Sequence, residues 1–148
     1  MSIQNVFDKF YCKTRNANIN FILIGSYRLY LEDSRVIPED IDIVVSMDRL
    51  LDITQIFKEN VVQKPKYSEL STLRSTYSRI EINGISIDLI SEMEVKIEGF
   101  WRKFVTNSEL TSVEVAGNRI SSLNLHYELS VAKSLGNVTK SRTIQEVI

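Results

Sequence analysis

Residues 39–45 read EDIDIVV, with Asp40 and Asp42 one residue apart inside a run of Ile and Val that has the composition of a buried strand. On a strand, residues i and i+2 project to the same face, so the two carboxylates point together with Cβ atoms about 6.5–7 Å apart. Ile41 and Ile43 point to the other face. Aspartate is disfavoured in strands, and two like charges this close repel. Burying either charge without a partner costs several kcal/mol. A divalent cation offsets that cost most simply, because Mg²⁺ prefers one or two carboxylates together with phosphate oxygens. The competing arrangement leaves Asp40 at an exposed strand start and pairs Asp42 with a lysine or arginine.

Two further features bear on that choice. Ile24-Gly25-Ser26 closes an apolar strand at a helix start. Free N–H groups and the positive end of the helix dipole suit phosphate there. Gly25 lets a ligand approach the backbone and Ser26 adds a hydroxyl, although a plain strand-turn-helix with Ser26 as its cap reads the same way. Asp88, in ISIDLIS, is a third aspartate in an apolar strand. Arg79 opposite it offers a cross-strand ion pair as the alternative use of that acid.

The elements that must hold these residues follow from periodicity and turn chemistry. Ile3, Val6, Phe7 and Phe10 predict an amphipathic helix over residues 2–16. Residues 21–25 read as a buried strand, with Ser26 capping a two-turn helix. Pro38 precedes the strand at 40–45, and a helix begins at Asp48 carrying Leu51, Ile53, Ile56 and Phe57. Residues 60–75 leave a short strand and a helical turn as options. In residues 77–90, Asn83-Gly84 between alternating apolar residues signals a two-residue hairpin. Its register sets Ile82 against Ile85, Ile80 against Ile87 and Arg79 against Asp88. Ser91 with Glu94 reads as a capping box opening a helix with Val95, Ile97, Phe100, Trp101 and Phe104. Residues 113–120 form a second hairpin. Ser122 caps a helix with Leu125, Leu129, Ala132 and Leu135 that stops at Gly136, and Ser141 begins a last helix. This order predicts an α+β (mixed α/β) fold, helices packed on one sheet.

The bulk properties bound the function. A chain of 148 residues, 43% apolar and 25% charged, is expected to form one ordinary globular domain. A net charge of -1 argues against gripping duplex nucleic acid as its main work. One cysteine, Cys12, and one histidine, His126, exclude a disulfide framework and disfavour a Cys/His zinc site. The first residues carry no signal-peptide pattern and no run approaches ~18 apolar residues, so the expected setting is cytoplasmic, without a membrane span.

Taken together, a strand ending in Gly25-Ser26, 13 further residues, Asp40-Ile41-Asp42 and the later Asp88 resemble the DNA polymerase beta-like nucleotidyltransferase superfamily. The matched core spans residues 21–90. Residues 113–142 are similar to the small branch containing lincosamide-type and abortive-infection-type nucleotidyltransferases, with Lys133 matching that branch's helix lysine. Where those relatives often carry an acid after the basic residues, this chain has Lys140-Ser141-Arg142-Thr143. The resemblance implies a nucleotidyltransferase-like central mixed sheet with helices on it, and a metal-dependent transfer of NMP from an NTP to a hydroxyl acceptor with pyrophosphate release. It implies that Gly25 and Ser26 hold the β- and γ-phosphates, and that Asp40 and Asp42 bind one or two Mg²⁺ ions. Asp88 then completes the second metal site and acts on the attacking hydroxyl, while Lys133, with Arg28 or Arg142, neutralises phosphate charge. A toxin–antitoxin role follows from the branch alone. A chain this small also leaves room for a second copy or an antitoxin-like protein to complete the acceptor cleft. The competing readings are a non-catalytic nucleotide- or protein-binding module on the same fold, and a plain interaction domain in which Asp88 serves Arg79.

Overall fold

The computed structural model describes residues 2–148. Helix α1 (Ile3–Asn16) buries Val6, Phe7 and Phe10, and the Ser2 hydroxyl caps it by accepting from the Asn5 N–H. Strand β1 (Ile22–Ile24) leads without a linker into α2 (Gly25–Glu32), and β2 (Ile41–Val44) passes through Val45 and the capping Ser46 into α3 (Met47–Ile56). The long strands β3 (Val61–Glu69), β4 (Leu73–Ile82) and β5 (Ile85–Ile97) follow, then β6 (Phe100–Lys103), β7 (Leu110–Val115) and β8 (Asn118–Leu123). Helices α4 (Leu125–Ser134) and α5 (Val138–Val147) close the described chain.

All eight strands form one mixed sheet in the order β3-β4-β5-β2-β1-β8-β7, with β6 paired to the outer part of β5. Alternation along each strand divides the apolar residues between two faces. On one face, Leu23, Ile41, Ile43, Ile80, Ile87 and Leu89 pack against Phe7 and Phe10 of α1, Tyr27 of α2, and Leu50 and Ile53 of α3. On the other, Ile24, Val44, Val95, Phe104 and Leu123 meet Val131 of α4. The α+β expectation holds, and the Asn83-Gly84 hairpin has the predicted register, Arg79 opposite Asp88 included.

Several local expectations do not hold. Residues 91–104 are strand, not a capped helix. Glu92 to Ile97 alternate charged and apolar residues without a break, and Met93, Val95 and Ile97 all pack on the second face. That period-two pattern outweighs a two-residue capping signal. Glu98 and Gly99 both take positive φ, 52° and 82°, and turn the chain back into β6. Phe100 is consequently exposed, Trp101 lies under the Arg74 guanidinium at 4.3 Å, and only Phe104 joins the core. Residues 61–69 are strand, and the short helical turn lies just before it, at Lys58–Asn60. The caps are also displaced. Asn124, not Ser122, caps α4, and Asn137, not Ser141, caps α5. Asn exposes a longer acceptor to the first-turn N–H groups, whereas Ser122 is buried in β8 and its hydroxyl has no partner. Among the described residues no helix is long and apolar enough to cross a membrane.

Candidate active site

Strands β2 and β5 run parallel with Asp42 directly beside Asp88. Residues in register on neighbouring strands share a face, and Asp40 lies two residues before Asp42. One oxygen from each of the three carboxylates lies within 4.8 Å of the other two. On the opposite side of β2, the antiparallel β1 sets Ile24 in register with Asp42, so the next residue, Gly25, abuts that carboxylate. Gly25 takes φ +80°, and a Cβ there would overlap the Asp42 carboxylate oxygen and lie 2.9 Å from its Cγ. Only glycine fits both the backbone conformation and the approach.

The electrostatics separate the three acids. Arg79 grips Asp88 with two hydrogen bonds, Nε to Oδ1 at 2.6 Å and Nη2 to Oδ2 at 3.1 Å. The cross-strand ion pair therefore exists, and Asp88 still belongs to the cluster. Among the described residues, neither Asp40 nor Asp42 forms an ion pair with a lysine or arginine. Burial, with the like charges of Asp40 and Asp88 added, pushes the Asp42 carboxyl up to about 7. Burial and the Asp88 charge raise Asp40 as well. Three hard oxygen donors, two of them without an ion-pair partner, are a donor set that suits a divalent ion.

Beside the carboxylates opens a cavity of about 780 Å³. Gly25, Ser26, Asp40 and Asp42 form one wall. Helix α2 has no side-chain cap, so its first-turn N–H groups are left for another acceptor. The Ser26 hydroxyl does not cap the helix. It accepts the Glu39 N–H at 3.1 Å and ties the loop before β2 to the helix start. The facing wall is α5, capped by the Asn137 side chain, which accepts the Lys140 N–H, and Lys140, Thr143, Ile144 and Val147 line the cavity. Lys140 acts electrostatically on both Asp42 and Glu128. Glu128, from α4, is 3% exposed and also lines the cavity; burial pushes its carboxyl upward.

The site thus brings Gly25, Ser26, Asp40 and Asp42 to one cavity and sets Asp88 against the two carboxylates, but does not bring in the cations expected from the sequence. Lys133 and Arg142 are exposed and line no part of the cavity. Arg28 is buried beneath it, its Nη1 bound to Glu32 at 2.8 Å and its Nε unpartnered. Lys140 and Glu128 occupy the facing wall instead. Their only sequence signal was the 3.6-residue spacing of α5 and an acid among the apolar positions of α4. For Arg28→Met we expect a loss of about 1–3 kcal/mol in stability with nucleotide affinity within about twofold of wild type, by denaturant melts and calorimetry.

No protein-family model and no curated protein matches the sequence. Solved structures do match. A candidate nucleotidyltransferase from Thermotoga maritima is similar over 96% of this chain and 89% of its own, with 29% identity and a TM-score of 0.79. The antibiotic-resistance factor ANT(2″)-Ia is similar in a crystal structure with adenylyl-2″-tobramycin, at TM-score 0.56 and 12% identity, over 95% of this chain and 86% of its own. It is similar again in a solution structure, at TM-score 0.55 and 12% identity over 95% and 81%. The chain has the nucleotidyltransferase fold.

Proposed function

We propose that the protein is a metal-dependent nucleotidyltransferase that moves NMP from an NTP to a hydroxyl acceptor and releases pyrophosphate. The observation that carries this reading is the carboxylate cluster of Asp40, Asp42 and Asp88 set against Gly25 at the uncapped start of α2. The fold shared with nucleotidyltransferases supports it. Asp40, Asp42 and Asp88 would hold one or two Mg²⁺ ions, which supply charge neutralisation for the phosphates and a lowered pKa for the attacking hydroxyl.

The chain's own groups do the rest. The N–H groups of Gly25 and Ser26 and the ammonium of Lys140 bind the triphosphate from two walls of one cavity. Arg79 fixes the Asp88 carboxylate at the acceptor side. The acceptor oxygen forms a bond to the α-phosphorus as the bond to the bridging α,β-oxygen breaks. The electron pair leaves with pyrophosphate, and the hydroxyl proton passes to Asp88. A setting of toxin–antitoxin type in the cytoplasm, with a second copy or an antitoxin-like protein as partner, is the finer form of this proposal and rests on the sequence resemblance.

Calorimetric titration of a non-hydrolysable NTP tests the site. Binding is expected with Mg²⁺, and is expected to vanish in EDTA and in Asp40→Asn/Asp42→Asn. Absence of binding to the wild type in every condition would sink the enzyme reading. Nucleotide binding without pyrophosphate release across an acceptor screen would favour the non-catalytic module.

A further inference from the structure

We infer that the acceptor enters through a second, smaller cavity on the far side of the carboxylates, and that it presents a single uncharged hydroxyl-bearing group there. This rests on the nucleotidyl-transfer reading and adds the acceptor's place and chemical class. The cavity has a volume of about 180 Å³ and Asp88 in its wall, whereas Asp40 and Asp42 line the larger one. The cluster therefore stands between two cavities. In an in-line displacement the attacking and leaving oxygens lie on opposite sides of the phosphorus. The free helix start and Lys140 mark the larger cavity as the triphosphate side. The attacking oxygen must then come from the side on which Asp88 opens.

The lining sets the class of acceptor. Register places Tyr77 beside Ile90 and Ser68 beside Ser75, so β3 and β4 carry these side chains on the same sheet face as Asp88. Ser68, Ser75 and Tyr77 supply hydroxyls, Leu70, Leu73 and Ile90 supply apolar surface, and no lysine or arginine lines the cavity. Arg79, which holds the Asp88 carboxylate in that wall, is already committed to it. A nucleic-acid end would bring phosphates that this lining does not neutralise. It would also need more room than about 180 Å³. An alcohol of side-chain or single-sugar size fits both the polarity and the volume.

Amide NMR on the intact chain tests this, because simple alcohols can stand in for the natural acceptor. The Mg²⁺ complex of α,β-methylene-ATP is expected to shift Gly25, Ser26 and Lys140, with Tyr77 next to the metal-holding Asp88, and to leave Ser68 and Ser75 unmoved. In its presence N-acetyltyrosinamide, standing for a protein side chain, or methyl glucoside, standing for a small sugar, is expected to shift Ser75 and Tyr77 saturably. Which of the two does so identifies the source. Leu70→Trp, at a turn position 63% exposed, is expected to weaken that alcohol about fivefold or more and to keep nucleotide affinity within about twofold. The inference is overturned if the nucleotide itself shifts Ser68 and Ser75, if a tetra-adenylate with a free 3′-hydroxyl shifts Ser75 and the alcohols do not, or if no probe does. Failure of the nucleotide to move Gly25, Ser26 and Lys140 would overturn the nucleotidyl-transfer reading itself.

Discussion

Asp42→Asn is expected to abolish transfer while stabilising the metal-free protein at neutral and alkaline pH. Removing a carboxylate that holds the metal withdraws several kcal/mol of charge stabilisation, so turnover should fall about 10³-fold or more. Stability moves the other way because the folded protein raises the Asp42 carboxyl from its ordinary 3.8 to about 7. A proton held more tightly in the folded state contributes stability that is fully present below pH 3.8 and lost as pH rises through about 7. The interval between those values, at about 1.36 kcal/mol per pH unit, caps the loss at about 4 kcal/mol. Asparagine carries no titrating proton and lacks this slope. Urea melts of the metal-free proteins at pH 4 and pH 8 check the sign. The two proteins should be close at pH 4, and the variant more stable at pH 8. Mg²⁺ with nucleotide should stabilise only the wild type, by about 2.7 kcal/mol at a hundred times Kd. A variant no more stable than wild type at pH 8 would mean that Asp42 is not under electrostatic strain.

Gly25→Ala is expected to cost both stability and nucleotide binding, and Gly84→Ala separates the two effects. Both glycines hold nearly the same positive φ, +80° and +79°. An L side chain in that region costs about 1–2 kcal/mol by itself. Nothing lies within 4 Å of a Cβ at Gly84, whereas at Gly25 the Cβ meets the Asp42 carboxylate. Gly84→Ala should therefore lose only the backbone term and bind Mg²⁺ and nucleotide as wild type does. Gly25→Ala must also displace Asp42 from the cluster and fill the approach to the helix start. Its affinity for the Mg²⁺–nucleotide complex should drop about tenfold or more. Equal nucleotide affinity in the two variants would detach Gly25 from the site.

The failures of the sequence reading share a cause. Ser91, Ser122 and Ser141 each carry the chemistry of a helix cap, yet two of them are buried on strands and the third lies inside α5. A cap signal spans a few residues and is worth about 1 kcal/mol. A strand of β5's length, with β4 on one side and β2 and β6 on the other, draws on far more hydrogen bonding and burial. Lys133 and Lys140 show the same limit for the site. Both sit on helices near the end of the chain, and only the packing of α5 across from Gly25 turns one of them into the cavity.

Local sequence specifies the elements that carry chemistry: the strand β2 that holds Asp42, with Asp40 just before its start, the glycine at the end of β1, and the Asn83-Gly84 hairpin that sets Arg79 against Asp88. Each depends on periodicity or turn geometry within a few residues, and that information is local. Packing of distant segments pairs β2 and β5 in parallel with Asp42 beside Asp88, buries Arg28 while Lys140 lines the cavity beside the acids, and opens a small cavity at Asp88. Parallel neighbours are joined through distant chain, here 40 residues from the end of β2 to the end of the β4–β5 turn. Their register is chosen by how the two apolar faces pack, which no short window of sequence records.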